Sequence, residues 1–198
     1  MIKFDERMKK QFAFIQEIDK QKTIFRQTYL ADGSRKENDA EHCWHMAVMA
    51  ILLAEYANEE IDLLHTLSII LVHDLVEIYA GDTYAYDTVG NADKREREVA
   101  AADKLFELLP DDQKDKFRGL WEEYEEGETP EAKFAASMDR IQPLMLNNAS
   151  GGLAWKEHEV KASQVYGRNR KTAEGSEKIW EFADETFIKP NIGKTLAE

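Results

Sequence analysis

The feature that most constrains this chain is an apolar segment, residues 61–80, that carries His73 and Asp74 near its end. Apolar residues occupy most sides of the helix that it would form, which predicts a helix buried in a core. An ionised carboxylate such as that of Asp74 is costly to bury unless it is paired or bound to a metal. The fold must therefore bring partners to these two side chains.

Elsewhere the apolar residues mostly recur at the helical period, and no stretch alternates as a strand would, so we predict an all-α fold. The chain has 198 residues, enough for one sizeable core, and we expect a single domain over residues 1–198. The predicted helices cover residues 4–18, 39–56, 61–80, 91–109, 111–126, 130–146, 158–168 and 174–188.

Several helix ends carry recognisable signals. Asn38 or Asp39 can cap the second helix, and Glu41 stands three residues after Asn38, as a capping box requires. Asn58 is expected to cap the third helix, and Gly81 to end it.

Charge and composition exclude several classes of function. The net charge of −13 argues against binding to duplex nucleic acid, whereas a small phosphorylated substrate stays compatible because a metal and a few cations can reverse the field inside a cleft. Cys43 is the single cysteine, which fits a reducing compartment. There is no signal-peptide apolar region, and the longest apolar run, residues 67–72, is too short to span a bilayer. We therefore expect a cytoplasmic protein without membrane contact.

Taken alone, the His73-Asp74 dipeptide favours a simple His–Asp hydrogen bond with one member exposed. Its surroundings change this interpretation. Glu77 is four residues after His73 and three after Asp74, so the three side chains lie towards one helix face. Asp82 then stands just beyond the helix end, at the start of a polar and aromatic loop over residues 82–90.

Two other segments offer further ligands. His42 begins the second helix, with His45 one turn later, and Asp139 interrupts an apolar stripe of the sixth. Neutral imidazole combined with carboxylate oxygens suits Mn, Fe, Co, Ni or Zn ions, and Mg less well.

The order H…HD…D resembles the HD-domain superfamily of metal-dependent phosphohydrolases. It is formed here by Glu41-His42, His73-Asp74 and Asp139, and the EIxxGD that follows the HD makes the likeness specific. Longer strings narrow it to the branch that contains 5′-deoxynucleotidases. These are NDAEHCWHMAVMA, IILVHDLVEIYAGD, KREREVAA, LWEEYEEGETPEAKFAASMDRIQP and QVYGRNR. The similarity covers roughly residues 10–170, followed by a C-terminal helical extension.

The resemblance implies an all-helical HD fold, usually a homodimer, with one divalent metal ion (Mn, Co, Fe, Ni, Zn or Mg). The implied metal ligands are His42, His73, Asp74 and Asp139. The resemblance also implies catalytic roles for Glu77 and Asp82. A metal ion can polarise a phosphoryl oxygen and lower the pKa of a bound water to ~7. Glu77 is close enough in sequence to orient or deprotonate that water, and Asp82 could protonate the leaving 5′-oxygen or position the nucleophile.

A phosphate substrate also needs cations. In the family an arginine before the first ligand contacts the substrate, and Arg26 is its best match, although Gln27 stands where the family often has tryptophan. Arginine can grip phosphate with two parallel hydrogen bonds. Arg35 and Lys36 are alternatives, and Lys133 is a further candidate for a phosphate contact.

The remaining histidines are interpreted as structural or exposed. His45 is expected on the helix flank, His65 in a structural role and His158 on the surface. Trp155, beside a predicted break at residues 147–152, is the tryptophan that could reach a base.

The sequence therefore favours a metal-dependent phosphohydrolase that removes phosphate from small nucleotides, 5′-deoxynucleoside monophosphates first, by attack of a metal-bound water. One alternative keeps the site and changes the substrate to a cyclic nucleotide, a nucleoside triphosphate or a guanosine pyrophosphate. Another is a non-catalytic helical scaffold that keeps a metal for structure.

Overall fold

The computed structural model describes residues 5–87 and 89–198, so Phe4, where the first helix is predicted to begin, lies outside the described residues. The structure is mostly helical, and the all-α prediction is confirmed. The elements in chain order are α1 (Glu6–Glu17), β1 (Phe25–Tyr29), β2 (Lys36–Asn38), α2 (Asp39–Leu53), α3 (Leu63–Val72), α4 (Glu77–Ala80), α5 (Lys94–Phe106), α6 (Asp111–Glu126), α7 (Pro130–Ala149), α8 (Leu153–Glu157), α9 (Ala162–Asn169), α10 (Thr172–Gly175) and α11 (Glu177–Ala183).

The β-hairpin is a feature that the sequence did not predict. β1 and β2 pair antiparallel, with Phe25 opposite Asn38 and Tyr29 opposite Lys36, and the register shifts between these pairs. Strands of five and three residues are too short to show a period of two, and burial along β1 does not alternate. The expectation of no strand is therefore wrong at residues 25–38.

The hairpin leads directly into α2, whose start follows the predicted capping box. The Asn38 side chain accepts a hydrogen bond from the Glu41 backbone N–H at 3.0 Å, and the Glu41 carboxylate accepts one from the Asn38 backbone N–H at 3.1 Å. This reciprocal pair satisfies two of the unpaired donors of the first turn. Asp39 is thus free to turn its carboxylate inward.

The third predicted helix differs from expectation at its start and in its middle, whereas Gly81, with a φ of 76°, follows its end as expected. Asp62, not Asn58, caps it, because the Asp62 side chain accepts from the His65 backbone N–H at 3.1 Å. The Asn58 side chain instead donates to the carbonyls of Ala173 and Glu174 and so fastens the C-terminal region. The helix α3 ends at Val72, and α4 begins again at Glu77.

Between these helices the chain forms a tighter turn. Leu75 N–H donates to the Val72 carbonyl at 3.1 Å, and Glu77 N–H donates to the Asp74 carbonyl at 3.0 Å. Residues three apart lie above one another in such a turn, so Asp74 and Glu77 share one face.

The combined segment Leu63–Ala80, with mean hydropathy 1.5, could cross a membrane by length and composition only, and 44% of it is buried inside the protein.

The core lies where α2 and α3 pack against α7, with α5 and α6 on one side. α7 extends to Ala149, past Pro143 and beyond the predicted end at residue 146. The largest fully buried side chains include Trp121, Trp155 and Phe134, the last of which lies on α7 itself. One hydrophobic cluster runs from residue 14 to residue 196, while the single-domain organisation stays a prediction.

The C-terminal part is more broken than the two predicted helices. α8 lies just after the predicted break, in residues to which no helix was assigned, and α9, α10 and α11 replace the helices predicted over 158–168 and 174–188. Gly151 and Gly152 have φ values of 69° and 71°, a left-handed backbone that favours glycine and ends α7. α10 packs closely on α7, because Gly175 has no side chain.

Gly175→Ala is expected to lower the free energy of unfolding by about 1–3 kcal/mol, the usual range for overpacking. An added Cβ would collide with the backbone carbonyl of Lys133 and with the Ser137 hydroxyl. Gly119→Ala is the matched control, because nothing lies within 4 Å of its Cβ position in α6. For Gly119→Ala we expect the free energy of unfolding to rise by about 0.5–1 kcal/mol. Denaturant unfolding measures both, and equal stabilities would contradict the close packing of α10 on α7.

Candidate metal and phosphate site

A cavity of about 350 Å³ brings together most of the residues that the sequence singled out. Its walls come from β1, α4, α5, α7, α9 and the loop between α4 and α5. Predicted site residues that line it are Arg26, His73, Asp74, Glu77, Asp82, Lys133 and Asp139. His42 lies directly behind them, fully buried.

The four predicted metal ligands meet at one point. His42 Nε2 lies 3.1 Å from Asp139 Oδ1 and 4.0 Å from Asp74 Oδ2, and His73 Nε2 lies 3.1 Å from the same Asp74 oxygen. Donor atoms of His42, His73 and Asp139 all lie within 4.8 Å of one another. Helix α2, helix α7 and the turn that follows α3 therefore deliver two imidazoles and two carboxylates to one small volume.

Each imidazole is held so that its Nε2 faces this volume. His73 Nδ1 donates to the Ile70 carbonyl at 2.7 Å, and His42 Nδ1 donates to the Gln142 side-chain oxygen at 3.1 Å. A carbonyl oxygen only accepts, so in the neutral imidazole the proton sits on Nδ1 and the Nε2 lone pair is available to a metal.

Gln142 and Glu37 support His42 and were missed by the sequence analysis. Gln142 Nε2 donates to Glu37 Oε2 at 2.7 Å and to His45 Nδ1 at 3.3 Å, which directs the amide oxygen towards His42. His45 therefore contacts Gln142, the residue that supports His42, whereas the sequence analysis expected it only on the helix flank. Gln142 could have been found from its spacing, because it follows Asp139 by three residues on the same face of α7.

Arg26 reaches into the carboxylates from β1. Its guanidinium donates to Asp74 Oδ2 at 2.8 Å and lies 3.6 Å from Asp139, 3.6 Å from Glu37 and 3.8 Å from Asp39. The predicted phosphate contact is thus held beside the predicted metal ligands. Burial disfavours the charge, but the carboxylates of Asp74 above all, then of Asp139, Asp82 and Glu77, hold the pKa of Arg26 well above its usual value.

The alternatives to Arg26 lie elsewhere. Arg35 pairs with the Glu41 carboxylate, and Lys36 with Gln27 and Glu157. Neither Arg35 nor Lys36 lines the cavity in the part of the chain that the structure describes.

Glu77 stands in a carboxylate group that includes a residue missed by the sequence analysis. Asp39, Asp74 and Glu77 have donor atoms within 4.8 Å of one another, a second arrangement that could hold a cation. Burial raises the pKa of Glu77 well above its usual value, and the charges of Asp74 and Asp39 add to the shift. Burial likewise raises the pKa of Asp39 to about 7, with Asp74 adding to it.

Orphaned buried atoms test whether these residues fit a metal. Among the described residues, His73 Nε2, Glu77 Oε2 and both carboxylate oxygens of Asp39 are buried without a hydrogen-bond partner. Buried polar atoms normally have a partner, and a divalent cation would supply one to those of these atoms that bind it. Imidazole nitrogen with carboxylate oxygen is a donor set that suits Mn, Fe, Co, Ni or Zn. The residues present therefore fit a divalent metal.

The opposite end of the cavity is aromatic. Tyr84 packs on the His158 ring at 4.3 Å between centroids and edge-on against Tyr86 at 5.3 Å. His158 is exposed, as expected, yet it also lies 3.2 Å from the Gln27 side-chain oxygen. Trp155 is buried in the cavity wall. His65 is remote from this site and pairs with Glu123 at 2.7 Å, in keeping with a structural role.

Comparison with known proteins gives three results. A family model described as "HD domain" matches residues 18–180. A 5′-deoxynucleotidase HDDC2 from Xenopus laevis is 34% identical over 111 residues, 56% of this chain and 54% of the relative. The Homo sapiens 5′-deoxynucleotidase HDDC2 is 32% identical over 111 residues, 56% of this chain and 53% of the relative. The chain thus spans about half the length of these curated relatives.

Two solved structures resemble the whole fold. A predicted metal-dependent phosphohydrolase from Magnetospirillum magnetotacticum superposes with a TM-score of 0.94 at 46% identity, covering 100% of both chains. A conserved hypothetical protein from Pyrococcus furiosus superposes with a TM-score of 0.57 at 26% identity, covering 82% of this chain and 97% of that one.

Gln142→Leu is expected to weaken Mn²⁺ binding about 10–100-fold, the usual effect of removing a partner that orients a ligand imidazole. The variant leaves His42 Nδ1 without its acceptor, so the ring loses its fixed tautomer and orientation. Isothermal titration with Mn²⁺ measures the affinity. Gln16→Leu, on the exposed side of α1, is the control and should bind as the unmodified chain does. Equal affinities for the two variants would contradict the support role of Gln142.

Proposed function

The chain belongs to the HD domain family, and on that premise we propose that it is a metal-dependent phosphohydrolase that removes phosphate from small nucleotides. The observation that carries the proposal is the meeting of two imidazoles, several carboxylates and the Arg26 guanidinium in one cavity. A site that only stabilised the fold would need neither a buried arginine at its ligands nor additional carboxylates beside them.

In this proposal the metal is held by His42, His73, Asp74 and Asp139. When bound, a divalent ion acts as a Lewis acid towards a phosphoryl oxygen and towards water. The residues themselves do the positioning, because the Ile70 carbonyl and the Gln142 side chain fix the two rings.

Arg26 is proposed to bind the phosphate. Its planar guanidinium offers two parallel N–H groups, which match two phosphate oxygens better than a point charge does. In the structure it pairs with Asp74, so a phosphate would compete with that carboxylate for the same donors. Lys133, at the cavity wall, is proposed as a second and weaker phosphate contact.

Glu77 and Asp82 are proposed to transfer protons during the reaction. Burial raises the pKa of each above its usual value, and neighbouring carboxylates, Asp74 above all, add to the shift. A carboxyl group with a raised pKa can both accept and return a proton near neutral pH. Together they would take a proton from the attacking water and deliver one to the leaving oxygen.

The substrates we propose first are 5′-deoxynucleoside monophosphates. Two observations support this choice: the curated relatives are named 5′-deoxynucleotidases, and the rings of Tyr84 and Tyr86 line the cavity, where a base could pack on them. Trp155, at 1% exposure, offers no ring face to a base. A volume of about 350 Å³ lies within the range of small-ligand sites.

A panel of nucleotides tests the proposal. The chain loaded with Mn²⁺ should release orthophosphate from deoxynucleoside monophosphates, lose that activity on chelation and regain it when Mn²⁺ is returned. Asp74→Ala should abolish activity, and Glu77→Gln should lower kcat about 10²–10⁴-fold, the usual contribution of a proton-transfer group.

Glu98→Gln is the matched control for these variants, because Glu98 is a buried carboxyl of the same cavity that pairs with Lys94. It should stay close to wild-type activity. Release of pyrophosphate or triphosphate would favour one of the alternative phosphate esters. Full activity of the Asp74→Ala variant, or turnover by the chain without metal, would contradict the proposal.

The homodimer and the cytoplasmic location stay predictions. The neighbouring helices α2 and α3 offer a surface for a second copy, because Trp44, Leu52 and Leu64 are 66%, 68% and 76% exposed. Apolar patches of this kind often mark interfaces. We expect sedimentation equilibrium to give twice the chain mass, and Leu52→Glu to give the monomer mass. Leu153→Glu, an exposed position on α8, should stay dimeric. A monomeric wild type would refute the dimer.

A further inference from the structure

The loop between α4 and α5 carries Asp82 into the cavity but has little regular structure of its own. Over the described residues 81–87 and 89–93 the structure shows turns and no helix or strand. The loop is folded on itself locally, since Asn91 Nδ2 donates to the carbonyls of Tyr84 and Asp87. Something outside the loop must therefore fix its position relative to the metal ligands.

Arg97, one turn into α5, makes that attachment. Its Nη1 donates to the Ala80 carbonyl at 2.8 Å, where α4 ends. Its Nη2 donates to Thr83 Oγ1 at 3.1 Å and to the Gly90 carbonyl at 2.9 Å. The partners of one guanidinium thus stand just before the loop, directly after Asp82, and on the far side of the loop.

The fourth contact comes from the helix that carries Arg97. Arg97 Nε donates to Asp93 Oδ1 at 2.9 Å, an i,i+4 pair at the start of α5. This pair holds the guanidinium plane in one orientation. An arginine presents five N–H donors in a rigid planar fork, whereas lysine has one ammonium on a flexible stem and cannot reach both ends of the loop together.

The loop contacts the rest of the cavity mainly through aromatic packing. Tyr84 stacks on His158, beyond α8, but this contact lies at the outer end of the loop. Among the described residues, charges such as those of Arg26 and Lys94 act on the Asp82 carboxylate, but no hydrogen bond fixes it. Its position is therefore determined by the backbone on either side of it, which is the part that Arg97 holds through Ala80 and Thr83.

We propose that Arg97 is a positioning residue that sets Asp82 against the metal ligands by fastening both sides of the α4–α5 loop to α5. The proposal rests on the proposed function, since it assigns Arg97 a role in the same reaction. Arg97 does not line the cavity in the part of the chain that the structure describes. Its side chain is 35% exposed, so its loss should not open the core.

The first arm of the test measures the loop directly. Hydrogen exchange followed by mass spectrometry is compared for the wild type, Arg97→Lys and Arg95→Lys. Arg95 is the matched control, because it lies on the same helix and pairs with Glu125 instead of the loop. Peptides covering residues 82–93 should exchange faster in Arg97→Lys alone, with the rest of the chain unchanged. Unchanged exchange in the loop would overturn the proposal.

The second arm asks whether Arg97 acts through Asp82. Arg97→Lys and Asp82→Asn are assayed singly and together with deoxyadenosine 5′-monophosphate and Mn²⁺. We expect Arg97→Lys to lower kcat about 10–100-fold with a smaller change in KM, since a displacement of about 1 Å can cost that much. In the Asp82→Asn background, adding Arg97→Lys should lower kcat by less than about threefold, because the effects of residues that act as one unit are not additive.

If Arg97→Lys lowered kcat as strongly in the Asp82→Asn background as in the wild type, Arg97 would act independently of Asp82, and the proposal would be overturned. A wild-type kcat in the Arg97→Lys variant would overturn it as well. Mn²⁺ binding should be equal in Arg97→Lys and the wild type, because none of the His42, His73 and Asp139 contacts involves Arg97. A wild type that releases no phosphate would refute the proposed function, while the exchange arm would still decide whether Arg97 holds the loop.

Discussion

The structure of the site depends on the pairing of buried carboxylates with the Arg26 guanidinium. Four carboxylates lie within 4 Å of it, and two of them, Asp39 and Glu37, are almost completely buried. Such charges are tolerated only when opposite charge is close. The small hairpin follows from this requirement, since β1 is the element that brings Arg26 under the N-terminus of α2. A chain without the hairpin would leave these carboxylates facing one another.

The same pairing links the two chemical parts of the site. Glu37, on β2, lies 3.6 Å from Arg26 and accepts from Gln142, which in turn orients His42. The buried carboxylate of Glu37 therefore contacts both Arg26, the proposed phosphate-binding residue, and Gln142, which orients the proposed metal ligand. Networks of this kind are favourable only when all members are satisfied, so a change in one member is expected to be felt by the others.

Much of this site could be predicted from the sequence, and the reasons for what was missed are physical. His42, His73, Asp74, Asp139, Glu77 and Asp82 stand in strings with a strong family pattern, and the structure places all six around one cavity. Asp39 was interpreted as a possible helix cap, because an acidic residue in a first helical turn is ordinarily solvated. Its inward position depends on Asn38 taking the cap and on Arg26 arriving from a hairpin too short to show a period.

The interruption of the central helix lies where His73, Asp74 and Glu77 reach the site. In a regular helix His73 and Asp74 would diverge by about 100°. The tighter turn after Val72 places Glu77 over Asp74, while the His73 ring reaches back to the Ile70 carbonyl. A uniform α-helix would also keep His73, Asp74 and Glu77 towards one face, so what the turn adds is the closer alignment of Glu77 with Asp74. The break between α3 and α4 therefore brings two carboxylates together at the end of a buried helix, and α4 then leads into the loop with Asp82.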